Sequence, residues 1–83
     1  MANNLKPKVI FIRDAVRRIM DHQPHEISVW EQSSGVILEY HKATYVGGCA
    51  REGQFRVKLA DSLQIRQFCE IELRMVDGLR VTL

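Results

Sequence analysis

The hydrophobic pattern of this chain changes period at Pro24, and that change constrains the fold more than any other feature. Before it, Val9, Ile12, Val16, Ile19 and Met20 recur at steps of three and four, while Lys6, Arg13, Arg17 and Asp21 fall on another face. This spacing predicts an amphipathic helix over about residues 7–22. Pro7 suits its first turn, and Pro24 both forbids continuation and pushes Gln23 out of the helical region. After Pro24 side chains alternate, as in half-buried strands over about residues 25–83.

Ile27 and Val29 alternate with Ser28 and Trp30, Ser33-Ser34-Gly35 supplies a turn, and Val36 to Val46 is rich in β-branched and aromatic residues. Gly47 to Gly53 holds three glycines and no periodic apolar residue, so a mobile loop is expected there. Gln54 to Leu59 alternates most cleanly, with Phe55, Val57 and Leu59 opposite Arg56 and Lys58. For Leu63 to Phe68 a strand is favoured over a short helix capped by Asp61 or Ser62. The last hairpin is expected to turn through Val76-Asp77-Gly78, pairing Met75 with Leu79, because that register places Ile71, Leu73 and Met75 on one face with Leu79, Val81 and Leu83.

Eighty-three residues make one domain with one core, and 46% apolar against 27% charged residues lies in the ordinary globular range. Residues 1–6 are expected to be disordered. The fold class expected is α+β, mainly β: an N-terminal amphipathic helix followed by a five-stranded antiparallel sheet. A net charge of +2 does not by itself argue for nucleic acid. Cys49 and Cys69 are too few and too widely spaced for a disulfide framework, no signal-peptide core is visible, and no stretch approaches the roughly 18 apolar residues of a membrane span. A cytoplasmic location without membrane association is expected.

The order of one helix and five strands, spaced as Ile27-x-Val29, Gly35, Leu38-x-Tyr40 and Phe55-x-Val57-x-Leu59, resembles the Sm-like small barrel and, more loosely, SH3-like barrels. The family's RNA-binding motifs are absent. Glu39-Tyr40 stands where a second glycine is usual, the Gly47 to Gly53 loop replaces an Asp/Asn-bearing turn, and Ile71-Glu72-Leu73-Arg74 replaces an Arg-Gly element. No binding residue is carried over from it. The segment Gly53 to Leu59, with Asp61-Ser62 and Ile65-Arg66, also looks like small proteins of bacterial mobile elements.

Candidate chemistry is thin. His22, His25 and Glu26 bracket Pro24, but zinc wants four ligands and no paired cysteines complete a set, so favourable charge at the helix C-terminus is the better reading. Cys49 and His41 lack a third group to orient them, Glu70 and Glu72 read as a wet strand face, and the glycine loop lacks the Lys-Ser/Thr of a phosphate loop. No catalytic residue, metal, cofactor or small-molecule substrate is expected, and the chain is read as non-enzymatic.

Two binding readings remain. A protein partner or self-association is favoured, with Trp30 and Tyr45 as candidate contact residues. Trp30, on the opposite side of its strand from Ile27 and Val29, is expected to anchor the helix to the sheet or, if exposed, to mark a partner surface, since Trp concentrates at contact hot spots. The alternative is single-stranded nucleic acid, especially RNA, held by Arg51, Arg56, Lys58 and Arg66 with Tyr40 to stack on bases. Glu39, Glu52, Glu70 and Glu72 are expected to neutralise part of that basic face.

Overall fold

The computed structural model describes residues 8–83. The disorder expected of residues 1–6, and the place of Pro7 in a first helical turn, lie outside the described residues. Eight regular elements follow in order: β1 (Val9–Phe11), α1 (Ile12–Ile19), β2 (Pro24–Glu31), β3 (Val36–Gly47), β4 (Gln54–Leu59), β5 (Ile65–Cys69), β6 (Leu73–Val76) and β7 (Leu79–Thr82). Short 3₁₀ turns occupy Ala50–Glu52 and Glu70–Glu72. All seven strands form one sheet in the order β1-β7-β6-β2-β3-β4-β5, open between the edge strands β1 and β5. The expected five strands are therefore seven, and the sheet is not closed into a barrel.

The helix is shorter than its periodicity implies. Val9–Phe11 pairs in parallel with β7, Val9 opposite Arg80 and Phe11 opposite Thr82, and the Arg80 amide donates to the Lys8 carbonyl at 3.0 Å. Val9 and Ile10 are β-branched, so an available strand edge outcompetes a helical first turn. What remains of the helix buries Ala15 and Ile19 in the core, and His22, at φ 62°, turns the chain toward Pro24. Pro24 opens β2, a position where its missing N–H is tolerated.

The hairpin of β2 and β3 contains a bulge. His25 pairs with Ala43 and Ile27 with Tyr40, so His41 and Lys42 together oppose Glu26, with Lys42 at φ 48°. Strand β4 alternates as expected: Phe55 and Val57 are buried while Arg56 and Lys58 are exposed. Ile65–Cys69 is a strand, as favoured.

The last hairpin is a correction. Val76 pairs with Leu79 and Met75 with Arg80, leaving the two-residue loop Asp77-Gly78 with φ of 50° and 81°. Positive φ at both central positions suits the twist of a two-residue hairpin. The expected register assumed one continuous strand from Cys69 to Met75, but the turn at Glu70–Glu72 resets the alternation and leaves Ile71 65% exposed. A register shift opposite Ser28 and Val29 then lets Leu73 and Val76, three residues apart, both face inward.

The core gathers Ile27, Val29, Tyr40, Ala43, Tyr45, Phe55, Val57, Phe68, Leu73 and Val76 with the two helix residues. Tyr45, Phe55 and Phe68 follow one another at ring separations of 6.2 and 5.8 Å. No helix among the described residues is long and apolar enough to cross a membrane.

Candidate functional site

Of the three residues around Pro24 that suggested a cluster, His25 is the buried one, at 9% exposure. Its Nε2 lies 2.8 Å from Asp21 Oδ1 and its Nδ1 2.7 Å from Asp77 Oδ2. Carboxylate oxygens only accept, so a ring facing one at each nitrogen carries both protons and a positive charge. Burial opposes that charge, yet the hydrogen bonds to Asp21 and Asp77 outweigh it and hold the His25 pKa above 6.5. Asp21 is held below the usual carboxylate range chiefly by its bond to His25. Burial pushes Asp77 up, but His25 and the Glu26 amide bring it below the usual range.

Asp77 is the hub of this cluster. Its Oδ1 accepts from the Glu26 amide at 3.0 Å, its own amide donates to the Glu26 carbonyl at 2.7 Å, and Arg18 Nη1 stands 3.6 Å from its Oδ2. The group ties together the helix end, β2 and the β6–β7 turn. Sequence reasoning read Asp77 as a turn residue only, and no local signal links it to His25. His22 Nδ1 lies 3.0 Å from the Tyr45 carbonyl and its ring packs on Tyr45 at 5.2 Å. The expected interaction of these histidines with the last helix carbonyls is thus replaced by strand and turn partners. Among the described residues no three His, Cys, Asp or Glu side chains are placed to hold a metal ion.

Glu26 grips the bulge opposite it. One oxygen lies 2.5 Å from His41 Nδ1 and the other accepts from the Lys42 amide at 2.9 Å, so His41 is held above its ordinary pKa and Glu26 below. His41 is thereby engaged by Glu26 and not by Cys49, which is exposed. Glu72 is also structural, since its carboxylate accepts from the amides of Cys69 at 2.8 Å and Gln32 at 3.2 Å. Glu70 and Glu72 lie in the 3₁₀ turn, not on a strand face.

The basic candidates do not share one face. Arg56 and Lys58 point outward from β4, with Arg56 Nε donating to Gln67 Oε1 at 3.2 Å. Arg66 pairs with the buried Val57, and directly opposed residues of an antiparallel pair point the same way, so Arg66 lies on the core-facing side of β5. Its charge acts on Tyr40, whose phenol burial pushes up and which is only 7% exposed. Tyr40 therefore offers no stacking face. Arg51 sits in the exposed turn after the glycines. Among the described residues no carboxylate lies within ion-pair distance of Arg51, Arg56, Lys58 or Arg66.

The two expected contact residues also separate. Tyr45 is buried at 8% exposure and belongs to the core, which corrects its assignment to a partner surface. Trp30 is half-buried on the outer face of β2, beside Ile37 and with the Arg74 guanidinium 5.3 Å above its ring. The helix packs Ala15 and Ile19 with Ile27 and Val29 on the other face, so the expected helix anchor is corrected. That outer face is the largest feature missed from the sequence. Cross-strand pairing sets Glu39, Ser28, Met75, Arg80 and Val9 in one row across β3, β2, β6, β7 and β1. Ile37, Met75 and Val9 are 52, 38 and 48% exposed. A shallow groove runs along it between Ile37 and Leu83.

No family model, curated protein or solved structure matches the chain.

Proposed function

We propose that the chain is a non-enzymatic protein-interaction module that works through the outer face of β3, β2, β6, β7 and β1. The observation that carries this reading is the row in which exposed Met75 and Val9 alternate with Ser28 and Arg80, flanked by Ile37 and by Trp30 beneath Arg74. Apolar centres rimmed by charge, with an aromatic residue and arginine together, are the chemistry of contact surfaces. The ionisable clusters support the same reading, because His25 and His41 are engaged by carboxylates that hold the fold together.

The experiment is partner capture on immobilised protein, comparing wild type with Ile37→Asp combined with Met75→Asp. Both side chains are exposed, so the variant keeps its thermal midpoint while a partner of this face is lost by about tenfold or more. Undiminished capture by the variant excludes the face.

A second reading, single-stranded nucleic acid, is favoured by Arg56 and Lys58, which have no carboxylate beside them among the described residues. It draws less support because Arg66 faces the other way and Tyr40 is buried. Titration of labelled RNA and single-stranded DNA at two salt concentrations tests it, since phosphate contacts make affinity salt-sensitive. Strand order supports the Sm-like and SH3-like resemblance: β2 to β5 are sequential neighbours, and β6 returns beside β2.

A further inference from the structure

We propose that the outer face docks a second copy of this chain, sheet against sheet, in a two-fold dimer; this rests on the interaction reading above and names its partner. The charge pattern of the row points to that partner. Glu39 and Arg80 stand at opposite ends of the four-residue stretch Glu39, Ser28, Met75, Arg80, one on β3 and the other on β7. Three strand spacings of about 4.8 Å separate them by about 14 Å. Both are exposed, and among the described residues neither lies within ion-pair distance of an opposite charge.

A two-fold interface must be self-complementary, because each residue meets whatever the axis maps onto it. An axis lying between two such sheets, parallel to the strands and midway between β2 and β6, exchanges the two ends of the row. Glu39 of one copy then faces Arg80 of the other, twice, and Met75 packs over Ser28. One step along the strands, the exposed Ile37 meets Thr82. Aligned strands at about 10 Å separation are the ordinary geometry of sheet-on-sheet packing. A partner of unrelated sequence has no reason to match opposite charges placed symmetrically about the centre of the face.

Sedimentation equilibrium on the full chain at low salt, from micromolar to several hundred micromolar, reads the association. Glu39→Arg and Arg80→Glu are exposed changes whose folding is checked by thermal melting. Wild type is expected to dimerise. Each variant alone, now presenting like charges at both contacts, is expected to dimerise about tenfold or more weakly. An equimolar mixture of the two variants is expected to restore the dimer, since the two arginines of one copy then face the two glutamates of the other across the axis. Wild type that stays monomeric overturns the proposal, as do variants that dimerise like wild type or a mixture that stays monomeric. The partner-capture experiment separates the two ideas: a monomer that still captures a protein sensitive to Met75→Asp removes the second copy and leaves the interaction face standing.

Discussion

His25 Nδ1 lies 2.7 Å from Asp77 Oδ2, although the two residues are 52 positions apart in the chain. This contact joins the strand that follows the helix to the turn of the last hairpin, and Asp77 adds a bond to the Glu26 amide. Replacing Asp77 by Ala leaves the His25 charge half-paired at a nearly buried site and the Glu26 amide without its acceptor. A loss of about 2–3 kcal/mol in urea denaturation is expected. Asp77→Asn, which keeps an acceptor and tolerates positive φ, is expected to cost less. Equal costs for the two variants refute a role for the acceptor oxygens and leave the charge alone as the source of the stabilisation.

The same cluster sets a pH dependence with two arms. His25 is held above 6.5 when folded, so its contribution is complete below the unfolded value and is lost as pH rises through the folded one. Asp21 and Asp77 are held below 3.8, so theirs is complete above that value and is lost as pH falls through the folded values. Stability is therefore expected to be highest from just above pH 3.8 to 6.5 and to decline on the alkaline side. His25→Gln, measured by denaturation at several pH values, is expected to flatten the alkaline decline. A variant that keeps the wild-type slope would falsify the assignment to His25, since His41 shares the sign but is exposed.

The hairpin register is tested by neighbouring residues with opposite fates. Val76 is fully buried opposite Ile27, whereas Met75 is 38% exposed opposite Arg80. Val76→Ala is expected to cost about 2 kcal/mol and Met75→Ala less than about 1 kcal/mol. The three-residue loop predicts the reverse order.

Gly48 is required by a close approach. At φ 124° a Cβ there meets the Gln54 carbonyl oxygen at 2.6 Å and Phe55 Cα at 3.0 Å, both backbone atoms of β4. Gly48→Ala is expected to cost about 2–3 kcal/mol through strain and displacement of that strand. Gly47→Ala, also at positive φ but with open space around it, is expected to cost less. The difference in urea midpoint checks it.

Removing Val81 to Leu83 is expected to lower the melting temperature, because Val81 and Thr82 are the partners of Ile10 and Phe11. The loss also strips β1 of most of its pairing. An unchanged melting temperature refutes the parallel β1–β7 contact.

The sequence by itself determined the local periods. Alternation in Gln54 to Leu59 placed Phe55 and Val57 inside and Arg56 and Lys58 outside, because a strand's side-chain period of two leaves no other choice. Pro24 barred helix from the segment that becomes β2 for an equally local reason, its missing N–H and its clash with a preceding turn, although the helix itself stops at Ile19 and not at the expected residue 22. Tertiary structure decided what depends on partners distant in the chain. Val9–Phe11 became a strand only because β7 offered an edge, and the last hairpin took its register from Leu73 and Val76 meeting β2 across a bulge. Arg66 was separated from Arg56 and Lys58 by its pairing with Val57, and Asp77 met His25 through the fold alone. The outer row of Glu39, Ser28, Met75, Arg80 and Val9 takes one residue from each of five strands, and only the cross-strand register brings it into being.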